Sequence, residues 1–372
     1  MKLLKLISRI VVGIVFIFSG TVKAIDPLGT TYKFQDYFSA FNLGFLREYA
    51  LFFAIVLFTC EFIAGISVLF SIKPKMGIWM VVLMMIVFTP LTFILALTNP
   101  VTDCGCFGDA IHLTNWQTFF KNIILFIPAI FLFVKREEAE PAFSATREWV
   151  IVSIAAFLFI SFAAYNLRFL PVIDFLPYKT GTYIPDKMVI PEGKPADKYE
   201  TTFIYEKEGT KREFTLENYP ANDTTWKFVD QKSILVSKGY EPPIHDFIIT
   251  TINGEDVTDQ ILSEKDFTLL MISAKLSEAD KGNLLKGFDI GQYCLENRIG
   301  FHILTASGLD EIKKYDSNLS FCQVDEITLK TMVRANPGYI LLKKGTIKGK
   351  WSWAGLPEKD KIVGTIVGEY SK

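Results

Sequence analysis

Five long apolar runs fill the first 170 residues, and they constrain this chain more than any motif does. A helix needs about 20 mostly apolar residues to cross the hydrocarbon core of a bilayer. The runs at Leu6–Val22, Tyr49–Ile72, Met76–Leu97, Phe119–Val134 and Trp149–Leu167 fit that requirement. Trp79, Trp116 and Trp149 fall near their ends, where amphipathic rings favour the interface. Beyond residue 170 the composition is that of a globular domain, so the hydrophobic share of 50% averages two unlike halves. A net charge of -1, with no basic stripe interleaved with aromatics, gives no ground for a nucleic-acid partner. The lipid bilayer is the first partner expected.

Short cytoplasmic flanks carry an excess of Lys and Arg. Lys2, Lys5, Arg9, Lys73, Lys75, Lys135, Arg136 and Arg147 fall on one side; Lys23, Lys33, Arg47 and Arg168 fall on the other. Eight against four predicts a cytoplasmic N-terminus in a multi-pass protein of a bacterial inner membrane. Everything after residue 170 is then periplasmic, as is the loop between the third and fourth runs. Residues 1–24 also have the basic start, apolar middle and V-K-A ending of a cleaved signal peptide. Cleavage would leave the loop and the C-terminal half on the same outer side.

That loop reads TDCGCFGD, with Cys104 and Cys106 one glycine apart. In an oxidising compartment such a pair tends to become a disulfide. The ring it closes is very small, and strained, exposed disulfides are the exchanging kind. Gly105 suits a ring whose backbone angles glycine adopts cheaply. Flanking Asp103 and Asp109 oppose a reactive thiolate, and His112 is the nearby group that would offset them if protonated. A metal site of Cys104, Cys106, Asp109 and His112 has suitable ligand types but no recognisable zinc spacing, so no metal is expected. A disulfide that only staples the loop remains an alternative. Glu61 lies in mid-span, where a carboxylate is costly. It is functional, paired with Arg9 or Lys23, or a protonated carboxyl hydrogen-bonded within the bundle.

Several of these residues form a pattern. Arg9, Gly13, Gly20, Lys23 and Asp26-Pro27 in SRIVVGIVFIFSGTVKAIDP, with Glu61 and Gly65 in TCEFIAGISVLF, resemble the first two helices of DoxX-like membrane proteins. DCGCFGD after the third run narrows the resemblance to the methylamine-utilisation protein E (MauE) family, over residues 5 to 135. The resemblance implies a four-helix membrane bundle, here with one extra span, and a role in thiol–disulfide chemistry for exported proteins.

The C-terminal half alternates strands and helices, which predicts an α/β sheet. PPIHDFIITTINGEDV and ANPGYILLKKGTIKGKW resemble thioredoxin-like proteins of the TlpA and peroxiredoxin group, with Pro337 at the position that is a cis-proline in that fold. Where that group carries Cys-x-x-Cys, this chain has Ser277 and Asp280, so the domain lacks the thiolate that dithiol exchange requires. Cys294 and Cys322 read as buried core thiols, with a disulfide between them as the alternative. The expected organisation is a membrane bundle (1–137), a fifth span (138–170), a linker and β-rich extension (171–240) and a thioredoxin-like domain (241–372).

Two functions follow. The first is a membrane thiol–disulfide oxidoreductase or electron relay acting through Cys104 and Cys106. The bundle would hold a quinone or another electron carrier, and the groove beside Pro337 would receive an extracytoplasmic thiol substrate. The second is a non-catalytic assembly protein whose outer domain binds an envelope partner.

Overall fold

The computed structural model describes residues 1–101, 104–221, 223–237, 239–315 and 318–361. Six helices open the chain: α1 (Lys2–Ile25), α2 (Pro27–Ala40), α3 (Ala50–Phe70), α4 (Pro74–Thr98), α5 (Asn115–Val134) and α6 (Ala145–Phe169). All but α2 are long and apolar enough to cross a bilayer. The protein is a multi-pass membrane protein. Helices α1, α3, α4 and α5 form a four-helix bundle, and α6 packs outside it against α1 and α3. Leu83, Ile124 and Phe157 are more than half exposed, as lipid-facing side chains are.

Glycines decide how closely α1 and α3 approach. A Cβ on Gly13 would stand 2.7 Å from Leu69 Cβ, and one on Gly65 would stand 2.7 Å from the Ile17 nitrogen. Small residues at such crossings let backbones meet where no water drives association. At the far end of α1 the chain turns sharply. Asp26 caps α2 by accepting from the Gly29 N–H at 2.9 Å, with Pro27 in the first helical position. The apolar-run reading passed over α2, although Asp26-Pro27 is a helix-start signal.

Outside the bundle, β1 (Lys198–Lys207), β2 (Thr210–Thr215) and β3 (Lys227–Ser237) form an antiparallel sheet, with Glu208 and Gly209 at positive φ in the bend between β1 and β2. The last domain holds β4 (Thr250–Thr251), β5 (Phe267–Ser273), β6 (Gly300–Thr305), β7 (Ser320–Gln323), β8 (Gly338–Lys343) and β9 (Thr346–Ser352). They form one sheet in the order β4-β7-β6-β5-β8-β9. Strands β5, β6 and β7 run parallel, and β8 and β9 return antiparallel. The helices around it are α7 (Ile184–Met188), α8 (Thr258–Ser263), α9 (Lys281–Glu296), α10 (Leu309–Ile312) and α11 (Glu326–Met332). With a cis peptide between Asn336 and Pro337 just ahead of β8, the domain has the expected α/β, thioredoxin-like arrangement.

Alternate β5 residues enter two separate cores: Leu270 and Ile272 on one face, Leu269 and Met271 on the other. Cys322 belongs to the first core and Cys294 to the second. The sheet therefore separates them, and the alternative of a Cys294–Cys322 disulfide is corrected to two buried thiols. Tyr178 and Ile184 of the preceding connection also enter the first core, so the domain draws on residues well before 241.

Candidate functional site

The Cys104–Cys106 loop is held from three directions. From α1, Lys23 donates to the Cys106 carbonyl at 2.6 Å, and Ser19 Oγ lies 2.9 Å from the same oxygen. From α2, the Tyr37 hydroxyl donates to the Cys104 carbonyl at 2.5 Å. From the outer domain, Arg334 donates to Asp109 at 2.7 Å. Between these anchors Gly105 and Gly108 have φ of +63° and +53°, and Gly108 N–H closes the turn on the Gly105 carbonyl at 3.0 Å. Both glycines thus adopt the left-handed region that glycine enters cheaply. The two Sγ atoms are 3.0 Å apart.

Beneath the loop, Lys23 Nζ lies 2.8 and 3.0 Å from the Glu61 carboxylate oxygens, and both side chains are almost wholly buried. A buried ion pair needs further hydrogen bonds to offset its lost hydration. Ser19 and the Cys106 carbonyl supply them, so the ion pair and the cysteine backbone form one network. The Glu61 partner is Lys23. Arg9 is not in this site and donates instead to the Val68 and Leu69 carbonyls near the C-terminal end of α3.

The charge around the thiols differs from that suggested by the flanking acids. Asp109 is engaged by Arg334, whose other contacts are Asp26 at 2.8 Å and the Lys330 carbonyl at 2.5 Å. The Cys106 thiol is pulled below its ordinary value, to about 6, first by the hydrogen bond from Cys104 and then by Lys121 and Lys23, against burial. Cys104 is pushed up by the same contact and by burial. Lys121 Nζ sits 4.3 Å over the Phe107 ring. Sequence reasoning missed Lys121, Tyr37, Ser19 and Arg334. Lys121 lies at the start of a span, where a cation attracts no notice, and nothing in the sequence places Arg334 near residue 109.

The remaining expected residues are elsewhere. Asp103 lies outside the described residues. His112 is exposed. Asp280 caps α9 by accepting from the Asn283 N–H, and Ser277 is exposed on a short turn ahead of that helix. Pro337 follows Asn336, whose side chain bonds Ser273 and the Lys275 carbonyl. The groove there faces the membrane bundle: Tyr32 and Gln35 of α2 line one wall, and Lys275, Glu278 and Asn336 line the other.

A second cavity joins the thiols to the bundle interior. It encloses about 820 Å³ of atom-free space, its open side included. Phe16, Phe34, Leu57, Phe88 and Leu91 make an apolar wall, and both cysteines, Lys23, Glu61, Lys121 and Asn122 supply the polar groups. An apolar chamber with a few convergent polar groups is the usual form of a small-molecule site.

Comparison with known proteins gives matches to two segments of the chain. Residues 1–135 match the model of one protein family. The family is described as methylamine utilisation protein MauE. Residues 199–238 match a domain of unknown function, DUF8463. No curated protein matches the chain. One solved structure is similar: the solution structure of a candidate protein disulfide isomerase from Bacteroides thetaiotaomicron. It is 15% identical, covers 33% of this chain and 84% of its own, and has a TM-score of 0.27. At that score it adds nothing to the topology described above.

Proposed function

We propose that the protein is a thiol–disulfide relay of a bacterial inner membrane, with Cys104 and Cys106 as its exchanging pair and the outer domain in the periplasm. The observation that carries this reading is the pair itself: two thiols 3.0 Å apart on the wall of a cavity that also holds the Lys23–Glu61 network. In the oxidised protein, a substrate thiolate attacks Cys104 Sγ. Cys106 leaves as a thiolate, favoured because a lower pKa makes a better leaving group. The second substrate thiol resolves the mixed disulfide, so the substrate dithiol becomes a disulfide and the loop becomes a dithiol. The electrons then need an acceptor. A quinone, held against Phe16, Phe34, Phe88 and Leu91 with Lys121 and Asn122 as polar neighbours, would supply a two-electron, two-proton acceptor beside the thiols. The end of the bundle rich in Lys and Arg, opposite the outer domain, supports a cytoplasmic N-terminus.

The absence of thiols at Ser277 and Asp280 favours the second reading, a non-catalytic assembly protein in which the pair is a staple. The reduction potential decides between them. Thiol trapping of detergent-purified protein across glutathione poises is expected to give roughly -120 to -270 mV, the range of exchange enzymes. A value below about -300 mV marks a structural disulfide and ends the relay reading.

A further inference from the structure

Arg334 belongs to the outer domain, yet its guanidinium is bound to the membrane domain. It lies between the end of α11 and the cis peptide ahead of β8. Only 7% of it is exposed. Its Nε donates to Asp26 and one terminal nitrogen donates to Asp109, contacts that bridge 308 and 225 residues of sequence. The guanidinium carbon also lies 5.4 Å over the Tyr32 ring of α2. Asp26 starts α2, the helix that carries Tyr37 to the Cys104 carbonyl; Asp109 ends the Gly105–Gly108 turn. One side chain thus holds both the thiol loop and the helix that anchors it. The fixed fork of an arginine can serve two carboxylates at once, which a lysine cannot match.

We infer that Arg334 is a positioning residue through which the outer domain keeps Cys104 and Cys106 in hydrogen-bonding contact. The thioredoxin-like domain then contributes to the site by gripping the thiol loop. This assignment gives purpose to the proposed relay but is tested separately, because the contact between the two thiols is read whether or not they exchange.

The test is the pH dependence of Cys106 alkylation in the full-length protein, reduced and in detergent, compared among wild type, Arg334→Met and Arg334→Lys. Loss of the clamp lets the loop relax, the Cys104 hydrogen bond weakens, and the Cys106 thiolate loses its largest support. The midpoint for Arg334→Met is expected to rise by at least one pH unit, a tenfold loss of thiolate on the acidic side. Arg334→Lys keeps the buried charge and is expected to rise by less. A merely structural role would lower stability and leave the midpoint where it is. A wild-type midpoint in folded Arg334→Met overturns the inference; should that variant not fold, a wild-type midpoint in Arg334→Lys does so. Failure of the relay reading would be a potential below about -300 mV in wild type, a separate result.

Discussion

The membrane domain and the outer domain handle cysteine in opposite ways. In the membrane domain, Cys104 and Cys106 sit in a loop set by glycines and hydrogen bonds, touching each other and acted on by lysines. In the outer domain, Cys294 and Cys322 are packed among apolar side chains, one in each core. The outer domain has its sheet and cis-proline with Ser277 and Asp280 ahead of and at the start of α9, while the neighbouring bundle presents a pair of thiols. Reactivity follows the surroundings of a thiol, not the fold that contains it.

The sharpest way to break this contrast is to compare reaction rates. Cys106 is held at about 6, and burial pushes Cys294 up to about 12. At pH 7 the first is mostly thiolate and the second about one part in 100,000, by the ordinary relation between pKa and ionised fraction. Alkylation followed by peptide mass spectrometry of the native, reduced protein is expected to label Cys106 and leave Cys294 unmodified until the protein is unfolded. Equal labelling of the two would remove the distinction.

The next largest effect concerns the buried ion pair. Lys23→Met leaves Glu61 charged and unpaired inside the bundle, and removing one partner of such a pair costs about 3–5 kcal/mol. Thermal unfolding in detergent is expected to show this loss. Thiol trapping should also show a shifted potential, because Lys23 holds the Cys106 carbonyl as well. An unchanged potential would mean that the network supports the fold alone. A smaller cost is expected at the helix crossing. Gly13→Ala forces α1 and α3 apart by placing a Cβ against Leu69, and overpacking of this kind costs about 1–3 kcal/mol.

How much could be read beforehand differs between the halves, for physical reasons. The spans were legible because apolar length is a local property. The alternation of strands and helices in the outer domain was legible from patterning. Gly105 was legible because few other residues enter the left-handed region cheaply. The surroundings of the thiols were not. Asp109 read as a charge opposing a thiolate, and only the fold shows it neutralised by an arginine 225 residues away. Arg9 and Lys23 were equal candidates for Glu61, because both lie on the same helix. Their separation along α1 puts one beside mid-span Glu61 and the other at the end of α3.

The smallest expected effect tests whether the outer domain lacks anything besides its thiols. Asp280 accepts from the Asn283 N–H at the start of α9, and Ser277 lies three residues earlier. Converting both, Ser277→Cys with Asp280→Cys, places a dithiol where thioredoxin-like proteins of the resembled group carry theirs. Loss of the cap is expected to lower the stability of that domain by about 1 kcal/mol, read as a small drop in its unfolding temperature. The new pair should titrate with a thiol reagent and form a disulfide. It should not replace Cys104 and Cys106 in the proposed relay, because the groove beside Pro337 is walled by α2 on the side of the bundle. Relay activity in the quadruple variant that also carries Cys104→Ser and Cys106→Ser would show that the outer domain needs only thiols, and that the contrast between the two domains is one of sequence, not of architecture.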